Sequence, residues 1–344
     1  MTSVTPRTSG KIDSLQYLRA FAALWVLLTH VLQQLALQPG GMFWAGQWGV
    51  DLFFILSGFI VYLTTKDHSS WRAFAVKRIF RIYPAYWFCL AVYRLLSAHA
   101  TSGRQGVSAW IQDVLMLPFA GPIGFNSLTV AQAWSTCYEM YFYFLLALLL
   151  AIGVTKKCLL PLIALVFFST HWINVLHPCS GFSGFVLSIV GRPHVLFFCE
   201  GIALAFIHTQ VREIRVGRKE LAMLVGVVCL TYSFLLIRGY GLGRSFVASP
   251  VLFLVVLKAN ELLPGKGLLN GVWVKLGDIS FSLYLIHLLV LGLLKKQCGI
   301  HSFIPLLVFT LTGTIAFSLM TYVLIEKPFI AFGRRLAVYF EQKE

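Results

Sequence analysis

Long apolar stretches separated by short polar breaks dominate this sequence of 344 residues. Most stretches approach the roughly 20 residues that an α-helix needs to cross about 30 Å of hydrocarbon, and a helix satisfies its own backbone groups there. Ten stretches can be distinguished, at residues 14–37, 48–66, 82–98, 132–152, 158–176, 194–209, 220–238, 246–263, 273–294 and 302–325. The pattern predicts an all-α, polytopic transmembrane helical bundle of about ten spans.

Basic residues concentrate in alternate breaks between the predicted spans. By the positive-inside rule these breaks face the cytoplasm, and so do both termini. The opposite breaks are poorer in charge, although Arg104, Lys295 and Lys296 are exceptions. The basic breaks and tail contain Lys66, Arg72, Lys77, Arg78 and Arg81; Lys156 and Lys157; Arg212, Arg215, Arg218 and Lys219; Lys258, Lys266 and Lys275; and Lys327, Arg334 and Arg335.

Composition agrees with a membrane protein. Hydrophobic residues make up 58% of the chain and charged residues 12%, against about 25% charged in soluble domains. The net charge of +15 follows from the basic breaks and does not indicate nucleic-acid binding. The seven scattered cysteines show no disulfide or metal-ligand spacing, so we expect no metal. We expect one integral-membrane domain over residues 1–344, with cytoplasmic tails at 1–13 and 332–344.

Arg19 and His30 are polar residues inside the first apolar stretch. Such residues are costly at membrane depth and usually face a protein interior, a partner or a water-filled path. Eleven residues make three helical turns plus about 20°, so both side chains project from one face, roughly 16 Å apart along the helix. This arrangement suits an anionic group near the interface and proton chemistry deeper inside.

Other polar residues in apolar spans also require partners. Asp51 suits either a helix N-terminal carboxylate or a functional carboxylate. Glu139 suits either an ion pair with Arg19 or Arg94, or a role in the site. His287 suits either a core histidine or a functional group, and each of these three residues needs pairing if buried.

The basic segment WRAFAVKRIFRIYPAYW, residues 71–87, stands at the predicted cytoplasmic edge. Arg78 and Arg81 are three residues apart and share a helix face, and two guanidinium groups bind a phosphate or diphosphate well. The alternative is anchoring of the segment to anionic lipid. The later break at residues 99–130 contains LPFAGPIGFN, which suits either a partly re-entrant loop or a surface connector.

Six motifs occur in order along nearly the whole chain, and together they resemble the acyltransferase-3 family of integral-membrane acyltransferases. They are DSLQYLRAFAALWVLLTH (Asp13–His30), GVDLFFILSGF (Gly49–Phe59), KRIFRIYP (Lys77–Pro84), WSTCYEMYFY (Trp134–Tyr143), GDISFSLYLIH (Gly277–His287) and EKP (Glu326–Pro328). The resemblance implies a ten-span protein of the bacterial cytoplasmic (inner) membrane. It also implies transfer of an acyl group, usually acetyl, from coenzyme A to a sugar hydroxyl of a polysaccharide or lipid-linked oligosaccharide.

The resemblance also suggests positions for the chemistry. Transfer from a thioester needs a base for the acceptor hydroxyl and stabilisation of an oxyanion. We expect His30 to act as general base, Asp51 or Glu139 to orient it, and Arg19 to position the donor or stabilise charge. The expected donor site comprises Arg78, Arg81, Lys77, Arg72 and Tyr83, and the expected acceptor site comprises Trp134, Ser135 and His287. Direct transfer and an acyl-histidine intermediate both fit.

Two other functions compete with acyl transfer. Intramembrane charges also mark substrate pathways, so a transporter or flippase for a small acid or lipid-linked glycan is the main alternative. A scaffold in a polysaccharide assembly machine, with purely structural polar groups, is the other. Label from acetyl-CoA on sugar distinguishes the enzyme from both.

Overall fold

The structure is a computed structural model that describes residues 13–35, 46–65, 70–96, 107–117, 128–176, 193–210, 242–262 and 267–343, with isolated positions between 217 and 226. Throughout these residues the chain forms helices and no strand. The α-helices are α1 (Asp13–Gln34), α2 (Gln47–Thr64), α3 (Trp71–Leu96), α4 (Val107–Leu115), α5 (Trp134–Ala151), α6 (Lys156–Leu176), α7 (Leu196–Gln210), α8 (Leu242–Leu262), α9 (Leu268–Lys296), α10 (Phe303–Thr321) and α11 (Lys327–Lys343). Turns of 3₁₀-helix precede α5 (Ala131–Ala133) and α7 (Pro193–Val195), and a π-helical segment (Tyr322–Glu326) joins α10 to α11.

Six helices in the described ranges are long and apolar enough to cross a membrane: Asp13–Gln34, Gln47–Thr64, Ala131–Ala151, Lys156–Ile173, Leu268–Lys296 and Phe303–Lys343. The prediction of an all-α bundle is confirmed, and the count of ten spans stays a prediction. The helices α3, α7 and α8 occupy three other predicted spans but are not among the six. α3 is rich in Arg and Lys, and α7 has only 15 residues. The predicted span at 220–238 lies outside the continuously described ranges.

Helix directions agree with alternating spans. α1 and α9 run parallel, with Gln16 of α1 packed against Gly277 of α9, where any Cβ would overlap the Gln16 backbone. α3 and α5 run antiparallel, since Arg78 meets Tyr143 whereas Tyr93 meets Gln132 just before α5. The first and ninth predicted spans therefore share a direction, and the third and fourth oppose each other.

α2 and α7 cross at very close range through two glycines. A Cβ on Gly58 would overlap the carbonyl oxygen of Phe198, and one on Gly201 would overlap the carbonyl oxygen of Ile55. Small residues allow helix backbones to approach in membrane proteins, where packing and not hydrophobicity drives association. This crossing fixes α2, one wall of the site described below.

The described part of the break between the third and fourth predicted spans, residues 107–117, packs back along α3. Tyr86, Trp87 and Tyr83 of α3 donate hydrogen bonds to the carbonyl oxygens of Asp113, Val114 and Leu115, at 2.6, 2.9 and 3.1 Å respectively. Tyr83 lies thirteen residues before the end of α3, about 20 Å along its axis. These contacts favour the re-entrant alternative. Most of LPFAGPIGFN lies outside the described residues.

The C-terminal helix continues beyond the predicted last span. α10, the π-helical segment and α11 are continuous to Lys343, so residues 332–343 of the expected tail are helical. α11 packs on α3, where the ring of Phe80 lies 5.1 Å from that of Phe332 and a Cβ on Gly333 would press against Phe80. The amphipathic pattern of α11 explains this packing, because its apolar face covers the first half of α3.

Candidate active site

A cavity of about 60 Å³, part of it open to the outside, lies between α1, α2, α3, α5 and α9. Two kinds of side chain define its ends. Arg19, Arg78 and Arg81 give one end a strong positive charge, and we call it the arginine end. Phe53, Ser135 and Tyr284 stand at the other end. Between them the wall is formed by Phe54, Leu56, Ser57, Ile60, Ile82, Thr136, Glu139, Tyr143 and Phe281.

The guanidinium groups at the arginine end are held by aromatic and hydroxyl groups. Arg78 lies over the ring of Tyr143, 4.9 Å from its centroid, and over that of Phe74 at 5.2 Å. The Nε of Arg19 donates to the Oγ of Ser280 at 3.2 Å. Cation–π contact and a hydroxyl partner orient the guanidinium groups without neutralising them. This end therefore presents guanidinium groups to an anionic ligand, with part of their charge offset by Glu139 and Glu326, which are described next.

Glu139 supplies negative charge in the middle of the cavity. Its Oε1 accepts hydrogen bonds from the hydroxyl groups of Ser57 and Tyr143, both at 2.5 Å. A second carboxylate, Glu326, is buried, accepts a hydrogen bond from Ser282 and interacts electrostatically with Arg19 and Arg81. No role was expected for Glu326 or Tyr143 from the sequence. Both lie in quoted motifs, EKP and WSTCYEMYFY, and these motifs were the available signal.

Tyr284 closes the far end of the cavity. Its hydroxyl lies 2.9 Å from the Oγ of Ser135 and donates to the carbonyl oxygen of Gln132, also at 2.9 Å. Its ring lies 5.8 Å from that of Phe53 and 5.9 Å from that of His287, measured between centroids. Tyr284 thus contacts the cavity on one side and a histidine on the other.

His30 and His287 form a pair just beyond Tyr284. The Nε2 of His287 lies 3.3 Å from the Nδ1 of His30, and the ring centroids are 5.0 Å apart. The Nδ1 of His30 lies 2.8 Å from the carbonyl oxygen of Val26, and that of His287 lies 2.7 Å from the carbonyl oxygen of Tyr284. His287 is 1% exposed, whereas His30 is half-buried and therefore the more accessible of the two.

The carbonyl partners determine the tautomers. A carbonyl oxygen only accepts, so each Nδ1 carries the hydrogen in the neutral imidazoles. The single Nδ1–H of His30 is then shared between the Val26 carbonyl oxygen, at 2.8 Å, and the Nε2 of His287, at 3.3 Å, and the Nε2 of His30 is unprotonated. A neutral histidine held in this way is ready to take a proton.

The structure gives His30 a different partner from those expected. Asp51 or Glu139 was expected to orient it, but among the described residues the groups in contact with its ring nitrogens are the Val26 carbonyl oxygen and His287. Asp51 instead accepts a hydrogen bond from Ser245, and its Oδ1 lies 3.5 Å from the Nδ1 of His194. Orientation of His30 by a histidine had not been foreseen, because His287 was assigned to acceptor binding.

Of the two other expected acceptor residues, Ser135 lines the cavity and Trp134 does not. Ser135 lines the cavity and bonds Tyr284. The ring centroid of Trp134 instead lies 6.0 Å from those of Tyr138 and His194. His194 is the residue that contacts Asp51, and Trp134 is outside the cavity lining.

Of the five expected donor-site residues, two line the cavity and three lie elsewhere. Arg78 and Arg81 line the cavity, whereas the Nζ of Lys77 forms an exposed ion pair with Glu341 of α11 at 2.6 Å. Arg72 lies over the ring of Trp71 at the exposed start of α3. Tyr83 donates to the carbonyl oxygen of Leu115. These three side chains therefore do not line the cavity.

The carboxylate partner of Arg94 is Asp113 and not Glu139. Its Nη2 lies 2.5 Å from the Oδ2 of Asp113, which is fully buried. Asp113 also accepts hydrogen bonds from the backbone N–H and the hydroxyl of Thr129, at 2.9 and 2.6 Å. This network ties the segment at residues 107–117 to α3. In the same described ranges, no group of three or more His, Cys, Asp or Glu side chains is arranged to hold a metal ion.

Curated proteins similar to this chain come from two bacterial genera. The exopolysaccharide production protein ExoZ of Rhizobium meliloti (strain 1021) is 25% identical over 311 residues, covering 86% of this chain and 93% of the relative. Nodulation protein 10 of Rhizobium leguminosarum bv. viciae is 27% identical over 354 residues, covering 93% and 94%. The acyltransferase MdmB of Streptomyces mycarofaciens is 28% identical over 328 residues, covering 82% and 79%.

No solved structure matches this chain. The sequence model of one family, described as an acyltransferase domain, matches residues 12–323 and so includes the cavity and the histidine pair. The resemblance seen in the six motifs is confirmed, and the chain belongs to the acyltransferase-3 family.

Proposed function

We propose that this protein transfers an acyl group, most commonly acetyl, from cytoplasmic acyl-CoA to a sugar hydroxyl of a polysaccharide or lipid-linked oligosaccharide. One observation carries the proposal. A single cavity has three arginines at one end and approaches the His30–His287 pair at the other. Family membership and relatives named for exopolysaccharide production and acyl transfer support it. The protein would act in the bacterial inner membrane, with the arginine end toward the cytoplasm.

Arg78 and Arg81 would bind the phosphates of the donor. Guanidinium groups bind phosphate oxygens through charge-assisted, often bidentate hydrogen bonds. The Nε of Arg78 is buried and has no hydrogen-bond partner among the described residues, which is unusual for a buried donor. An anionic ligand at this end would satisfy it.

Arg19 would position the donor and not stabilise charge at the reacting carbonyl. It lines the same cavity as Arg78 and Arg81, but it precedes His30 by eleven residues, about 16 Å along α1. An arginine side chain does not bridge that distance while bonded to Ser280. Between the two roles left open by the sequence, the geometry favours donor binding.

His30 would act as general base on the acceptor hydroxyl. The unprotonated Nε2 takes the hydroxyl proton while the sugar oxygen forms a bond to the acyl carbon. The carbon–sulfur bond then breaks, and the proton passes from His30 to the leaving sulfur of coenzyme A. His287 accepts the Nδ1–H of His30, which keeps the ring oriented and disperses the positive charge of the imidazolium.

The experiment is transfer of label by purified protein in sealed lipid vesicles. We expect radioactivity from [¹⁴C]acetyl-CoA to appear on an added surface glycan as a base-labile ester, with release of one free coenzyme A thiol per ester. Vesicles without protein serve as control. Movement of unmodified glycan across the vesicle with no label on sugar would contradict acyl transfer and support the transporter alternative.

A further inference from the structure

The boundary between the cavity and the histidine pair is narrow and aromatic. Tyr284 and Phe53 line the cavity, and neither His30 nor His287 does. The Tyr284 ring packs against Phe53 on one side and His287 on the other, with centroid distances of 5.8 and 5.9 Å. A group that enters from the arginine end meets this aromatic contact before it reaches the histidines.

Tyr284 is held in this position by a buried hydrogen-bond network. Its hydroxyl bonds Ser135 and the carbonyl oxygen of Gln132, and the Nε2 of Gln132 donates to the hydroxyl of Tyr93 at 2.7 Å and to the carbonyl of Leu285. Tyr284, Gln132 and Tyr93 are all buried. Turning the ring aside would leave buried polar groups without partners, which is unfavourable. The network therefore limits how far the Tyr284 ring can turn.

We infer that Tyr284, together with Phe53, selects the acyl group by size, because the acyl end of the donor has to pass this constriction to reach His30. The inference rests on the proposed function and names a specificity-determining residue for it. A donor whose phosphates bind Arg78 and Arg81 directs its acyl end along the cavity toward Tyr284. An acetyl group adds the least bulk beyond the thioester, and each further methylene has to fit between fixed rings.

The consequence is a preference for short acyl groups that depends on the ring at position 284. Discrimination of a single methylene by an apolar site is commonly about 10- to 200-fold. We expect wild-type protein to favour acetyl-CoA over butyryl-CoA by at least about tenfold on this basis. Tyr284→Ala removes the ring and should allow butyryl transfer.

The test is kcat/KM for acetyl-, propionyl- and butyryl-CoA, measured for wild type, Tyr284→Ala and Phe53→Leu. The ratio of butyryl to acetyl transfer should rise about tenfold or more in Tyr284→Ala, and by less in Phe53→Leu, which widens the same gap from α2. Phe88→Leu is the matched control. It removes a ring that stacks on Phe317, outside both the cavity lining and the Tyr284 network, and should leave the ratio unchanged.

Failure of the inference and failure of the proposed function give different results. Wild-type protein that transfers no acyl group from any donor would contradict the proposed function. Suppose instead that the wild-type protein transfers acetyl, and that the ratio of butyryl to acetyl transfer in both variants stays within about twofold of the wild-type ratio. This result would overturn the role of Tyr284 alone. Loss of transfer from every donor in both variants would overturn it equally, since an enlarged constriction must pass the small group.

Discussion

The Nε2 of His287 lies 3.3 Å from the Nδ1 of His30, although the two residues are 257 positions apart in the sequence. The contact joins the parallel helices α1 and α9. A neutral imidazole thus takes the orienting position that carboxylates occupy beside many catalytic histidines. Because His287 is buried and its own Nδ1 lies at the Tyr284 carbonyl, its orientation is fixed.

Substitution of His287 tests this relationship. His287→Ala removes one of the two acceptors for the Nδ1–H of His30 and leaves the Val26 carbonyl oxygen, so we expect kcat to fall about tenfold, the lower end of the 10- to 100-fold cost of losing an orienting partner. The KM for acetyl-CoA should change little, because the proposed donor site is the arginine end. Steady-state kinetics with purified protein separates the two parameters.

His287→Gln is the matched variant for this prediction. Its side-chain oxygen can accept the same hydrogen bond, so it should recover part of the lost kcat. Equal activity of the Gln and Ala variants, or a loss that appears only in KM, would show that His287 does not orient His30.

The arginine end predicts that neighbouring basic residues of α3 differ in their effect on donor binding. Arg78→Ala and Arg81→Ala should each raise the KM for acetyl-CoA about 10- to 100-fold, as expected for loss of hydrogen bonds to a charged group worth about 1.5–3 kcal/mol. Lys77→Ala is the control, because Lys77 forms an exposed ion pair with Glu341. Donor affinity unchanged in both arginine variants, or lowered equally by Lys77→Ala, would exclude the phosphate site.

The crossing of α2 and α7 predicts a stability difference between two glycines. Gly201→Ala places a Cβ against the Ile55 carbonyl and should destabilise the fold by about 1–3 kcal/mol. A Cβ added at Gly292 in α9 has no atom within 4 Å. Gly292→Ala should therefore leave the fold unchanged in stability or stabilise it by up to about 1 kcal/mol. Thermal unfolding in detergent measures both. Equal unfolding temperatures for the two variants would mean that the helices do not cross at Gly201.

The attachment of residues 107–117 to α3 depends on Asp113. Asp113→Ala leaves Arg94 and Thr129 without their carboxylate, and loss of one member of a buried pair costs about 3–5 kcal/mol. We expect a large fall in unfolding temperature and easier proteolysis near residues 107–117. Glu341→Gln breaks an exposed pair instead and should cost less than about 1 kcal/mol. Similar stability of the two variants would contradict the buried anchor.

The sequence predicted those features that depend on local periodicity. The lengths of the apolar stretches predicted helices, and the spacing of Arg19 and His30 predicted that they share a face. Both do contact α9, through Ser280 and His287. Similarly, Arg78 and Arg81 share the face of α3 that meets the cavity. These inferences needed only the 100° rotation per residue of a helix.

Features that depend on contacts between distant helices were not predictable in the same way. Lys77 was grouped with Arg78 by proximity in sequence, but one residue rotates a side chain by about 100°, here toward α11. The pairing of His30 with His287 depends on the register between α1 and α9, which is set by the contact of Gln16 with Gly277. No pattern within either helix specifies that register.

The most direct test of the account is transfer by His30→Ala, with acetyl-CoA binding measured on the same purified, membrane-reconstituted sample. Removal of a general base should lower the transfer of labelled acetyl to glycan by about 100-fold or more. Binding of acetyl-CoA should stay within about twofold of wild type, because Arg19, Arg78 and Arg81 are intact. Transfer at a near wild-type rate by His30→Ala would contradict the account.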